Sequence, residues 1–241
     1  MVSSFVRFMF LSRIALLLAV AFGLGWPRAR AAEEQVHGVV FEQWIRDTFF
    51  HGYKPRSYTQ KWDIPADKNT EHGGLPANPK AAKYGTPVDM GDALRQFRVA
   101  EEKQNFLLIV GFWDQDGENK KWTNGVVAEV SPETYQKLWD PVTKEDLEKL
   151  DAVVKDKSLS LEEARAQAQK IKSRIPFSKA IMQVNPKLDA KQRRLQCSIR
   201  FGDFFHYLAP NAESLRQDKP MIWDVPMPEE FKSPPRRRKK K

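Results

Sequence analysis

The sequence predicts a mixed α/β domain, and three stretches predict it. Residues 106–113 (FLLIVGFW) form an unbroken apolar run of strand length with charge on both sides, the pattern of a fully buried strand. From Val39 to Phe50, the residues Val40, Phe41, Trp44, Ile45 and Phe49 recur at helical spacing, with Glu42, Gln43, Arg46 and Asp47 on the other side. Further on, two capping signatures, Thr143 with Asp146 and Ser160 with Glu163, open consecutive helices.

Taken in order, the chain opens with Arg7 and Arg13 before an apolar run from Ile14 to Gly25, and then Ala29-Arg30-Ala31. A membrane span takes about 20 apolar residues, so this run is short for one. Residues 1–31 are expected to be a signal peptide, with an uncleaved anchor as the other reading. The mature protein is then exported, periplasmic or secreted, with no membrane span. Between residues 51 and 91, strands are expected over Tyr58–Ile64 and Leu75–Ala81, joined by a turn at Gly73-Gly74. Pro79 is an obstacle there, because proline in a sheet is confined to edges and bulges.

Asp92 is placed to cap a helix to Val99. After the apolar strand, a polar turn is expected over Asp114–Gly125 and a strand over Val126–Val130. Ser131-Pro132-Glu133 starts a helix through Trp139, and the two capped helices end near Asp156 and Arg174. Strands are expected at Ile181–Val184 and Leu195–Phe201. Pro210 to Pro235 is expected to be peripheral, and the tail from Pro234 to Lys241 disordered.

The formal charge of +9 comes from the two ends. Of 40 Lys and Arg, four fall in residues 1–32 and six in 236–241, which leaves 30 against 31 acidic residues between. Bulk charge therefore gives no argument for a nucleic-acid partner, and a basic surface has to come from clustering. Lys187, Lys191, Arg193 and Arg194 form one such cluster. The single cysteine, Cys197, excludes an intrachain disulfide, and no Cys/His spacing suits structural zinc. His37, His51, His72 and His206 are scattered and take structural roles by default.

Several stretches together resemble the PD-(D/E)XK nuclease superfamily, which contains many restriction endonucleases. They are FEQWI at 41–45, WDIP at 62–65, ANPKAAKYG at 77–85, VDMGDALRQF at 88–97 and FLLIVGFW at 106–113, with QVNPKLDAKQRRLQCSI at 183–199 later. The resemblance implies a restriction-endonuclease-like domain over residues 36–209. It would have a central mixed sheet flanked by helices, a helical insertion, and a Pro-rich, basic extension over 210–241.

Carried over residue by residue, Asp63 matches the motif's Asp, Asn78 stands where an acid is usual, and Lys80 matches the Lys. Glu42 matches the helix glutamate that some members add. Asn78 and Pro79 depart from the pattern, and Lys83 is the other candidate for the functional lysine. The resemblance implies Mg²⁺, or Mn²⁺ in its place, held by Asp63, Glu42 and Asn78. Lys80 would assist the attacking water, and Lys187, Lys191, Arg193 and Arg194 would contact a nucleic-acid backbone.

The function expected is thus an exported Mg²⁺-dependent nuclease acting on DNA ahead of RNA. The alternative is an exported non-catalytic binding protein on the same fold. A third reading gives the RRRKKK tail its own polyanion binding. Oligomeric state is left open, a dimer included.

Overall fold

The computed structural model describes residues 36–57 and 60–232. The expected signal peptide and the basic tail from Arg236 lie outside the described residues. Helix α1 (Val36–Phe49) places Phe41, Ile45 and Phe49 one turn apart on a single buried stripe. Strand β1 (Ala77–Lys83) follows, then β2 (Val88–Asp92), α2 (Ala93–Ala100), β3 (Phe106–Asp116) and β4 (Asn119–Val130). Three helices come next: α3 (Pro132–Lys137), α4 (Lys144–Lys155) and α5 (Leu161–Lys172). The chain continues through β5 (Gln183–Leu188) and β6 (Arg193–Ile199), then a short helix at Phe201–Asp203 that passes into a π-helical turn at Phe204–Leu208. It ends in β7 (Met221–Ile222), β8 (Val225–Pro226) and β9 (Glu230–Lys232).

The fold is mixed α/β. The first sheet has the order β1-β3-β4-β9, with β1 parallel to β3 and the other pairs antiparallel. Because parallel neighbours need a crossover, the chain leaves β1, enters a second sheet through β2, and returns through α2. The second sheet is antiparallel, in the order β2-β6-β5. Alternation along β3 divides the core in two. Leu107, Ile109 and Trp113 pack under α1, while Leu108, Val110 and Phe112 join the core shared with the second sheet and helices α2 to α5. Gly111 is required where α1 crosses β3, since an added Cβ would sit 2.6 Å from Phe41 Cε2.

The helical middle follows its local signals. Thr143 and Ser160 each complete a capping box, with Asp146 and Glu163 respectively. Asp92 caps α2 by accepting from the Arg95 amide at 2.9 Å. No helix among the described residues is long and apolar enough to cross a membrane.

Three expectations are corrected, and one strand is added. Of the strand expected over Tyr58–Ile64, the described residues keep only an isolated bridge between Ile64 and Ala77. The Gln60 side-chain amide takes the Trp62 and Asp63 carbonyls, at 2.6 and 3.2 Å, in place of a partner strand. The polar stretch 114–125 is mostly hairpin, turning only at Gly117-Glu118. Its polar groups are met by protein: the buried Asn124 amide donates to the Glu213 and Leu215 carbonyls.

Residues 210–232 are not peripheral. Gln217 donates its amide to the Thr123 carbonyl, Ile222 and Met227 are buried, and β9 completes the first sheet. Strand β2, which composition hides, carries a bulge between Asp89 and Gly91, where Gly91 takes a φ of 97°.

Candidate active site at the rim of strand β1

Strand β1 lies at the edge of its sheet, and Ala77 exchanges both backbone hydrogen bonds with Ile64, at 2.8 and 2.9 Å. Backbone direction alternates along a strand, so Pro79 turns its nitrogen to the same outer rim, away from β3. Proline is tolerated there for that reason. A third bond extends this zip: the buried Asn78 side-chain Oδ1 accepts from the Asp63 amide at 3.0 Å. Asp63 is thereby fixed against β1 although it belongs to no regular strand.

Lys80 lies two residues beyond Asn78, on the same face of β1. Its Nζ donates to Asp63 Oδ2 and to the Pro79 carbonyl, each at 2.9 Å. Both partners are mostly shielded, with side-chain exposures of 17% for Lys80 and 30% for Asp63. Lys83 ends β1 on the opposite alternation and is exposed. It is Lys80, not Lys83, that stands against Asp63.

Glu42 stands on α1, one position along from the buried stripe, and the Lys80 and Asp63 charges act on it. Burial holds its carboxyl above the ordinary glutamate value. The Lys80 charge pulls it back down, Asp63 pushes it up, and Arg46, 3.7 Å away, also pulls it down. Glu42, Asp63 and Lys80 are therefore close enough for each charge to act on Glu42. No group of three or more His, Cys, Asp or Glu is placed to hold a metal among the described residues. The candidate site has two carboxylates, Glu42 and Asp63, and one cation. Mg²⁺ keeps several waters and is usually held by one or two carboxylates together with substrate phosphates, and Glu42 and Asp63 are the two carboxylates here that would have to hold it. Asn78 spends its oxygen on the Asp63 amide and serves first as a clamp.

The basic cluster divides. Arg193 donates to the Asp156 and Leu159 carbonyls and ties the β5–β6 hairpin to the α4–α5 connection. That is structural work. Lys187 and Lys191 are exposed, and Arg194 is half-buried opposite Lys187. The histidines lie away from the rim. His51 meets Glu71 at 3.1 Å, His72 stacks on Trp223 with ring centroids 3.9 Å apart, and His206 packs on Tyr207. His37 Nδ1 lies 3.0 Å from the Nζ of Lys120, which sits 4.1 Å above the Trp113 ring. Sequence reasoning missed this buried lysine, and an isolated lysine in a polar stretch carries no signal for it. Cys197 is a buried free thiol. No family model, curated protein or solved structure matches this chain.

Proposed function

We propose that the chain is an exported, metal-dependent nuclease of restriction-endonuclease-like core, hydrolysing phosphodiester bonds of nucleic acid, DNA ahead of RNA. The observation that carries this reading is the Lys80–Asp63 pair at 2.9 Å, with both charges acting on Glu42, and these are residue types the resemblance asks for. Glu42 and Asp63 would hold Mg²⁺ or Mn²⁺. When bound, the ion supplies charge neutralisation at the phosphate and a more acidic water. Asn78 fixes Asp63 by its amide, so the carboxylate keeps its orientation. Lys80, pinned between Asp63 and the Pro79 carbonyl, is positioned to orient a water or to donate to a phosphate oxygen as charge develops there. Water attacks phosphorus, the bridging P–O bond breaks, and the leaving oxygen takes a proton.

One observation favours the non-catalytic alternative: Asn78 stands where a third acid is usual, and its oxygen is already engaged. The test is purified protein with linear and circular DNA and RNA, with Mg²⁺ or Mn²⁺ and an EDTA control. Asp63→Ala should abolish cleavage. Lys80→Ala should reduce it severely with binding retained, because its part falls in the chemical step. Lys83→Ala should cleave like wild type. A wild type that cleaves nothing, or an active Asp63→Ala, ends the nuclease reading in favour of a binding protein.

A further inference from the structure

Helix α5 and the edge strand β5 wall a cleft of about 450 Å³. Arg165, Gln169, Lys172, Asn185 and Lys187 line it, and no carboxylate does. That is room enough for a small ligand. Its polar side chains are held in place. Arg165 donates Nε and Nη2 to the Leu188 carbonyl, at 3.2 and 2.6 Å. Lys172 Nζ donates to Asn185 Oδ1 at 3.2 Å, and the same amide donates its Nδ2 to Ser198 Oγ at 2.8 Å. Asn185, Lys187, Arg194 and Ser198 thus share one face of the second sheet, because cross-strand partners project to the same side.

Three cations meet on this face. Lys172 comes from α5, Lys187 from β5, and Arg194 from β6 directly opposite Lys187. Like charges opposed across strands destabilise a sheet. The repulsion is felt: burial first, and then the Lys187 charge, hold the Lys172 amine below its ordinary value. The buried Nε of Arg194 has no hydrogen-bond acceptor among the described residues. An anion between Lys172 and Lys187 would relieve their repulsion.

We propose that this cleft seats backbone phosphates of a nucleic-acid strand, with Lys172 and Lys187 as contacts in the cleft and Arg194, opposite Lys187 across the strand pair, as the next. The anion's identity as nucleic acid rests on the nuclease reading. The row of charges does not. Three cations in succession over α5, β5 and β6 suit a repeating anion better than a single one.

The test uses labelled single- and double-stranded DNA 20-mers in EDTA, with anisotropy read across a salt titration. The proteins are wild type, Lys172→Met, Lys187→Gln and the double variant, with thermal melts to verify folding. Each single variant should weaken binding about threefold and the double about tenfold at low salt, with the slope against log salt reduced by about one to two. If the double variant binds with wild-type affinity and slope, or if wild type binds neither strand form, the cleft proposal is overturned. Inorganic phosphate is titrated in parallel by calorimetry. Phosphate binding lost in the double variant, without any effect on DNA, would make the cleft a free-phosphate site and overturn the nucleic-acid assignment. A wild type that cleaves nothing yet binds DNA through Lys172 and Lys187 sinks only the nuclease reading.

Discussion

Asn78 Oδ1 accepts a 3.0 Å hydrogen bond from the Asp63 amide, and through it the strand that carries Lys80 holds the segment that carries Asp63. Asn78 is 4% exposed. Asn78→Ala should therefore cost about 1–3 kcal/mol in urea unfolding, the usual result of leaving a buried donor without an acceptor. Asn78→Asp keeps an acceptor for that amide and adds a carboxylate to the rim. Calorimetry with Mg²⁺ should show tighter binding for Asn78→Asp than for wild type. Equal affinity would mean that the side chain acts on the fold alone.

Glu42 gives a pH prediction with a definite sign. Its folded pKa is raised above the ordinary 4.5, chiefly by burial. The protonated form therefore supports the fold below that value, and the support is lost as pH rises through the folded pKa. At pH 8 the ionised, half-buried group is a cost that Glu42→Gln removes. The variant should melt above wild type at pH 8 and converge toward it near pH 4. A variant less stable at pH 8 would show that attraction to Lys80 and Arg46 outweighs burial. If Glu42 holds Mg²⁺ as proposed, wild-type affinity should climb as pH rises through the raised Glu42 pKa, since a metal needs the ionised carboxyl.

His37 acts in the opposite direction. Burial, and then the neighbouring Lys120 charge, hold its pKa at about 4 instead of 6.5. The unfolded chain takes up this proton first, so stability is full above pH 6.5 and falls as pH drops toward 4. Between pH 7 and 5, wild type should lose roughly 1–2 kcal/mol more than His37→Gln, after a discount for partial exposure. Urea titrations at the two pH values measure the difference. Parallel losses in both proteins would remove His37 from the acid response.

The sequence carried what is local. The capping boxes at Thr143 and Ser160 sit within four residues, and the helices they open begin where expected. The 106–113 run needs no partner to be recognised as a buried strand. What was hidden depends on partners far along the chain. Asn119–Gly125 looks solvated until residues 213–217 arrive to take the hydrogen bonds of Asn124 and Thr123. Asp63 belongs to no strand, so periodicity misplaces its segment, and the Asn78 bond that brings it to β1 leaves no mark in composition. A basic cluster reads two ways in sequence, because a guanidinium such as that of Arg193, here bonded to two backbone carbonyls, can as well tether backbone as meet a phosphate.

The tripeptide Asn-Pro-Lys occurs twice, in β1 and in β5, and each copy lies on an outer strand of its sheet. An outer strand is a template on which another chain can add a strand of its own. At Pro79 that template lacks a donor, and its carbonyl is taken by Lys80. Pro186 likewise brings no N–H to the rim of the second sheet. A second copy of the protein approaching either long rim meets a break in the ladder beside a positive charge. The residues that shape the candidate site and the cleft thus also interrupt strand addition at these two rims.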